Sequence, residues 1–293
     1  MNHDTIHYPV FSDQIISLLD LHPCHVVLDG TCGEGGHGKI LLSFLNESGY
    51  YIGLDKDAAI LRIAEKRFST LKKRYSLVHS SYANSLAVLK SLGIDHVDRI
   101  LLDLGLSMFH IQQENRGFSY QSDDILDMRF DQTSHSKSAF EIIHTASMEE
   151  LTEILRVYGE EVYAKKIARL ITLQRKTSLI KTCQDLSQLV LRVKPYTGHI
   201  HPATKTFQAL RIAVNQELAD LKKMLQEVPL LLKKGGKIGI ISYHSLEDRI
   251  VKQFFIQTEG LNPVNKKIIL PSAEEIKINP ASRSAKFRLG ERL

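Results

Sequence analysis

Short apolar, β-branched runs alternate with helical periodicity through the first 105 residues. Val26–Asp29, Tyr51–Asp55, Tyr75–His79 and Arg99–Leu104 read as strands, and Gly36–Phe44 and Ala58–Leu71 as the helices between them. In the second helix Ile60, Ile63, Ala64 and Phe68 share one face. Strands joined through helices form right-handed βαβ units on a parallel sheet, so the pattern predicts a doubly wound α/β fold.

From about Ser107 to Pro202 the strand pattern gives way to polar loops and then to helices over Met148–Tyr158, Val162–Leu173 and Cys183–Val193. This predicts an inserted, mainly helical second domain. One long helix is expected over Thr204–Leu232, ended by Lys234-Gly235-Gly236, with the sheet resuming at Lys237–Tyr243. Gly260–Pro280 reads as a loop with a short strand around Lys267–Leu270. The expected domains are 1–106 with 203–293, and 107–202.

Composition adds limits. With 293 residues, 43% hydrophobic and 24% charged, the chain can bury a substantial core and is neither disordered nor fibrous. Cys24, Cys32 and Cys183 form no CxxC pair, which points to a reducing, cytoplasmic setting and to no metal site. Met1–Pro9 lacks a signal pattern, and no apolar run approaches ~18 residues, so neither secretion nor membrane spanning is expected. The net charge of +5 suits an anionic partner. Basic residues gather at Lys165, Lys166, Arg169, Arg175, Lys176 and Lys181, and in the tail at Arg283, Lys286, Arg288 and Arg292. A solvated helix face and a frayed tail are the plain readings of each.

The first strand runs into Asp29-Gly-Thr-Cys-Gly-Glu-Gly-Gly-His-Gly38, a glycine turn that opens a helix. Gly33, Gly35 and Gly38 satisfy G-x-G-x-x-G, and Asp55 ends the next strand, where an acid can accept both ribose hydroxyls. A nucleoside-containing cofactor follows, against the alternative of a structural turn with Asp55 as a helix cap. Asp29 would repel a pyrophosphate but suits the cationic S-adenosylmethionine, which favours the methyl donor over NAD. Asp103 ends the fourth strand and faces the same crevice, or else caps a turn.

With these residues placed, the chain resembles the bacterial ribosomal RNA small-subunit methyltransferase H (MraW) family, which modifies a cytidine N4. The motifs are Asp29–His37, Leu54–Asp57, Leu101–Gly105, Arg116–Ser119, Leu126–Asp131, Tyr158–Glu161 with Ala164–Arg169, His201–Lys205, Phe207–Arg211 with Val214–Leu218, Ile241–Arg249 and Asn279–Lys286. The resemblance runs from His7 to the C-terminus. It implies a class I (Rossmann-like) methyltransferase sheet using S-adenosylmethionine on 16S ribosomal RNA in its decoding-centre (P-site) region, within the small subunit. Gly35, Gly36 and His37 would line the cofactor, Asp55 would hold its ribose and Asp103 would lie beside it. Tyr82 stands where the family has phenylalanine against the adenine. His110 stands where it has a cofactor-contacting glutamine, and Gly38 replaces a usual serine.

The cytosine amine is a poor nucleophile that needs in-line placement and an acceptor for its N–H. Asp103, or a nearby backbone carbonyl, is the expected acceptor. Cys32 reads as a packing residue, since amine methylation needs no thiol. Asp127 and Arg129 could shape the nucleotide entrance or form a self-satisfied salt bridge, with Asp131 beside them. Lys205 is a candidate phosphate contact, Arg211 could pair with an internal acid, and His244 could reach the base from a strand end, followed by Ser245 as helix N-cap. The basic helical segment and the tail are the expected RNA contacts. A homodimer stays open. The competing readings are an NAD-dependent oxidoreductase and a non-catalytic RNA-binding assembly factor.

Overall fold

In the computed structural model, residues 9–112, 115–196, 198, 201–265 and 267–293 are described; His7 lies outside them. After α1 (Ile15–Leu18), the chain forms β1 (Val26–Asp29), α2 (Gly36–Phe44), β2 (Tyr50–Asp55), α3 (Ala58–Phe68), β3 (Tyr75–His79), α4 (Ser85–Ser91) and β4 (Val97–Asp103). The strands carry Val, Ile and Leu on both faces because helices cover both faces of a parallel sheet. On one side Leu41, Leu42, Tyr51, Ala64 and Phe68 are buried together, and on the other Leu28, Ile52, Leu54, Ile100 and Leu102.

The second unit spans residues 108–217. It contains α5 (Met108–Gln112), α6 (Ala139–Thr145), α7 (Met148–Gly159), α8 (Ala164–Gln174), α9 (Cys183–Leu191) and α10 (Thr204–Asn215). Ser138, Ser147 and Thr182 open α6, α7 and α9 with capping boxes to Glu141, Glu150 and Asp185. The expected boundary at 202/203 moves to 217/218. The reason is packing: Phe207, Leu210 and Val214 of α10 are buried in the same core as Leu151, Leu155, Ile167 and Leu186. The expected single helix over Thr204–Leu232 is also broken, by Gln216 at φ +53° between α10 and α11 (Glu217–Leu231).

β5 (Leu232–Ser242), α12 (Ser245–Gln257), β6 (Leu261–Pro263), α13 (Ala273–Ile278) and β7 (Lys286–Arg292) complete the first unit. Lys234-Gly235-Gly236 falls inside β5, as an irregularity where the pairing with β4 shifts register. The interval expected to be mostly loop holds β6, α13 and a lone bridge from Ile269 to Phe287. The expected tail is a sheet strand, β7, antiparallel to both β5 and β6. Its alternation of Lys286, Phe287, Arg288 and Leu289 buries the apolar members. The sheet order β3-β2-β1-β4-β5-β7-β6 is doubly wound, as expected. Its order reverses between β1 and β4, and ligands of such sheets bind outside the strand carboxyl ends at that point.

Candidate active site

Three acids end the strands around the switch point: Asp29 on β1, Asp55 on β2 and Asp103 on β4. The Gly33 N–H donates to Asp55 Oδ2 at 2.8 Å and the Asp57 N–H to Oδ1 at 2.9 Å, so Asp55 ties the glycine turn to its own strand end. Gly35 caps α2 at φ +81°, a conformation that glycine adopts without strain, and a Cβ there would lie 2.8 Å from Phe68. Gly36 follows as the first residue of α2. A Cβ on Gly38 would lie 2.5 Å from the Tyr51 hydroxyl and 2.6 Å from Phe68. Gly38 thus serves helix-on-sheet packing. Tyr82 closes over Gly30, where a Cβ would approach it to 2.8 Å.

Asp29 is 1% exposed, taking hydrogen bonds from the Tyr51 hydroxyl at 2.7 Å and the Thr31 N–H at 3.1 Å. Burial pushes its pKa up to about 6 against the His37 charge and these two bonds. Asp29 is thus the buried acid of the pair, and Asp103, whose side chain is 20% exposed, is the more open one. A folded-state pKa above the ordinary carboxylate value means that the native state binds this proton more tightly than the unfolded chain does. The burial penalty is absent below about pH 4 and fully present above about pH 6. The stability difference between parent and Asp29→Asn, from urea unfolding, is expected to shift against the parent by roughly 2–3 kcal/mol across that window. A difference independent of pH would contradict this account.

Asp103 is held from several sides. Its N–H donates to Thr31 Oγ1 at 2.6 Å, and its Oδ1 accepts from the Gly105 N–H at 3.1 Å. His37 Nδ1 lies 3.6 Å from Oδ2, while His37 Nε2 hydrogen-bonds the Val10 carbonyl at 2.8 Å. The Tyr243 hydroxyl also bonds Asp103; burial first, then the Asp103 charge and this bond, raise the Tyr243 pKa well above its ordinary value. The Tyr243 ring packs where a Gly105 Cβ would be, at 2.7 Å. Tyr243 was not singled out from sequence, although its place between a strand end and a helix start could have marked it.

His244 is the N-cap of α12, with Nδ1 accepting from the Glu247 N–H at 3.4 Å. Its Nε2 lies 3.1 Å from Glu247 Oε1, off hydrogen-bond geometry. The cap expected at Ser245 is thus supplied one residue earlier. Cys32 is buried, and burial pushes its thiol up, as befits a packing residue. In β7, Arg288 and Lys286 bond Asp248 at 2.8 and 3.4 Å, and Arg292 donates to the Leu232 carbonyl. These three cations, expected as RNA contacts, are bonded within the first unit, to α12 and to the start of β5.

Within residues 108–217, His110 is buried against both Phe118 and Phe130, at centroid distances of 5.2 and 5.1 Å, and these two rings stack on each other at 5.7 Å. Arg129 grips Asp127 with two bonds of 2.7 and 2.9 Å. Burial pushes the Asp127 carboxyl up, but Arg129 outweighs it and holds the pKa below the ordinary value. Lys205 Nζ donates to the Glu160 carbonyl at 2.9 Å, at the end of α7, where a cation suits the helix dipole. Arg211 pairs with Glu217 at 2.8 Å. Asn215 accepts from the Phe130 N–H at 2.8 Å and donates to the Met128 carbonyl at 2.7 Å, fixing a loop in which Met128 has φ +62°. Asn215→Ala is expected to cost roughly 2–4 kcal/mol by stranding these groups. Denaturant unfolding measures it, and a loss near zero would contradict the loop's dependence on Asn215.

Among these strand-end groups the first unit offers acceptors and an aromatic ring. That set of acceptors fits a cationic sulfonium and a ribose better than a pyrophosphate. No helix among the described residues is long and apolar enough to cross a membrane.

The model of the MraW methylase family matches residues 4–293. Curated relatives named ribosomal RNA small subunit methyltransferase H include one from Dictyoglomus thermophilum, 43% identical over 99% of this chain and 97% of that protein. Another, from Persephonella marina, is 42% identical over 98% and 99%. Among solved structures, an rRNA methylase from Streptococcus thermophilus is 11% identical with a TM-score of 0.45, covering 96% of this chain and 93% of that one.

Proposed function

The chain belongs to the MraW methylase family, and from that premise we propose that it methylates the N4 amine of one cytidine in the decoding-centre (P-site) region of 16S ribosomal RNA. The enzyme is an rRNA methyltransferase and its methyl donor is S-adenosylmethionine. The observation that carries the finer reading is Asp103, whose half-buried carboxylate at the switch point meets Gly105, His37 and Tyr243 and whose backbone N–H is held by Thr31.

Asp55 would hold the ribose hydroxyls, Gly35 and Gly36 would bring the backbone close to the cofactor, His37 would lie beside it, and Tyr82 would meet the adenine. When bound, S-adenosylmethionine would supply an electrophilic methyl group, whose bond to sulfur would break as the bond to N4 forms, the pair staying on sulfur as a neutral thioether. Asp103 accepts the proton that N4 sheds as its bond to carbon forms, then releases it to solvent. Tyr243 and the Gly105 N–H keep that carboxylate in place, and Thr31 holds the Asp103 backbone N–H, so no reorientation is needed during reaction. A base inside folded RNA must leave its stack to reach such a pocket.

The inserted unit takes the RNA, with Asp127 and Arg129 as a fixed salt bridge shaping the nucleotide entrance. His110 serves by packing on Phe118 and Phe130, and His244 by capping α12. Lys205 keeps an exposed ammonium for phosphate. The setting is cytoplasmic. Nucleoside analysis of small-subunit rRNA from cells with and without the gene tests the assignment. Loss of N4-methylated cytidine is expected, and an unchanged nucleoside profile would overturn it.

A further inference from the structure

Helix α8 buries Ala164, Ile167, Ala168 and Ile171 and leaves Lys165, Lys166 and Arg169 exposed on its other side. Lys176 follows, also exposed. None of these four cations is ion-paired with another described residue. Other cations of the unit have structural duties: Arg175 donates to the carbonyls of Ile143 and Ala146, and Lys194 pairs with Glu161 at 2.9 Å. Lys165 and Lys166 stand four and three residues before Arg169, spacings at which like charges repel along a helix. This face lowers helix stability unless something anionic covers it.

An aromatic platform adjoins the charge. Tyr163 is 37% exposed and Val162 85% exposed at the start of α8. Lys166 Nζ lies 5.7 Å from the Tyr163 ring centroid. The backbone is anchored there, since the Tyr163 N–H donates to Glu161 Oε1 at 3.0 Å. Glu161 is itself buried against Lys194, so its charge does not offset the exposed cations.

We propose that this face of α8 holds a single-stranded stretch of RNA, with Lys165, Lys166, Arg169 and Lys176 on phosphates and one unstacked base on Tyr163. The inference rests on the reading of the chain as an RNA-modifying enzyme and adds where the strand outside the pocket is held. Aromatic stacking beside a cationic track is how proteins grip single strands without reading sequence. An anionic lipid surface suits the face less well, because a helix lying on a membrane turns its apolar side to the lipid, and the apolar side of α8 is inside the core.

The test uses the full-length protein with a short single-stranded oligoribonucleotide, the matching duplex, and phosphatidylserine vesicles. The triple variant Lys165→Gln, Lys166→Gln, Arg169→Gln should flatten the plot of log affinity against log salt by about two and weaken single-strand binding by roughly 10- to 100-fold. Lys176→Gln alone should flatten it by about 0.7. Tyr163→Ala should weaken single-strand binding by about 5- to 100-fold with the slope and duplex binding unchanged, and Tyr163→Phe should restore it. Parental slopes in both charge variants, equal loss on duplex and single strand in Tyr163→Ala, or tighter binding to vesicles than to RNA would overturn the proposal. Methyl transfer to small ribosomal subunits by the parent is measured alongside. If the parent transfers while the variants bind RNA as it does, the docking face is wrong and the activity stands. If the parent transfers nothing, the activity itself fails, whatever the slopes.

Discussion

Asp103→Asn is expected to lower methyl transfer by about 10²- to 10⁴-fold, the usual contribution of a positioned acid or base, while S-adenosylmethionine binding stays near the parental level. Asparagine preserves the shape and can still accept from the Gly105 N–H and the Tyr243 hydroxyl, the contacts that fix the parent side chain. It cannot take up the proton from N4. Single-turnover transfer with calorimetry for the cofactor separates the two effects. Parental turnover with normal binding would remove Asp103 from proton transfer and leave a backbone carbonyl as acceptor.

Asp55→Ala should abolish productive cofactor binding. The carboxylate proposed to accept the ribose hydroxyls also receives the Gly33 and Asp57 N–H groups. Charge-assisted hydrogen bonds contribute ~1.5–3 kcal/mol each, so losing two to the ribose alone weakens binding by at least ~10²-fold. The rise in Tm that saturating S-adenosylmethionine gives the parent should disappear with it. A variant still stabilised by the cofactor to the parental extent would show that the ribose is held elsewhere.

Most of the first unit was legible because its strands are short apolar runs separated by helical periodicity. β1, α2 and β3 begin and end at the expected residues. What was not legible depends on contacts distant in sequence. The break at Gln216 has no glycine or proline to announce it, and the adjacent Asn215 is committed to Phe130 and Met128, more than eighty residues earlier. α10 has an ordinary amphipathic face, and only packing reveals that Phe207, Leu210 and Val214 fill the insertion's core. β7 carries a period-two pattern that its flanking charges obscured, and the acid absorbing two of those charges, Asp248, lies in α12.

The site divides in the same way. Asp55, Asp103 and the glycine turn could be placed from strand ends and spacing. The burial of Asp29 could not, because it depends on the Tyr51 hydroxyl reaching across from the neighbouring strand. Tyr243 likewise meets Asp103 only because β4 and β5 are adjacent in the sheet.

The central claim is tested most directly by transfer of labelled methyl from S-adenosylmethionine to small ribosomal subunits that lack the modification, with the product nucleoside identified by mass spectrometry. The account predicts label on N4 of a single cytidine of the decoding-centre region. Label on a ring carbon or a ribose oxygen, or no transfer by protein that binds the cofactor, would contradict it.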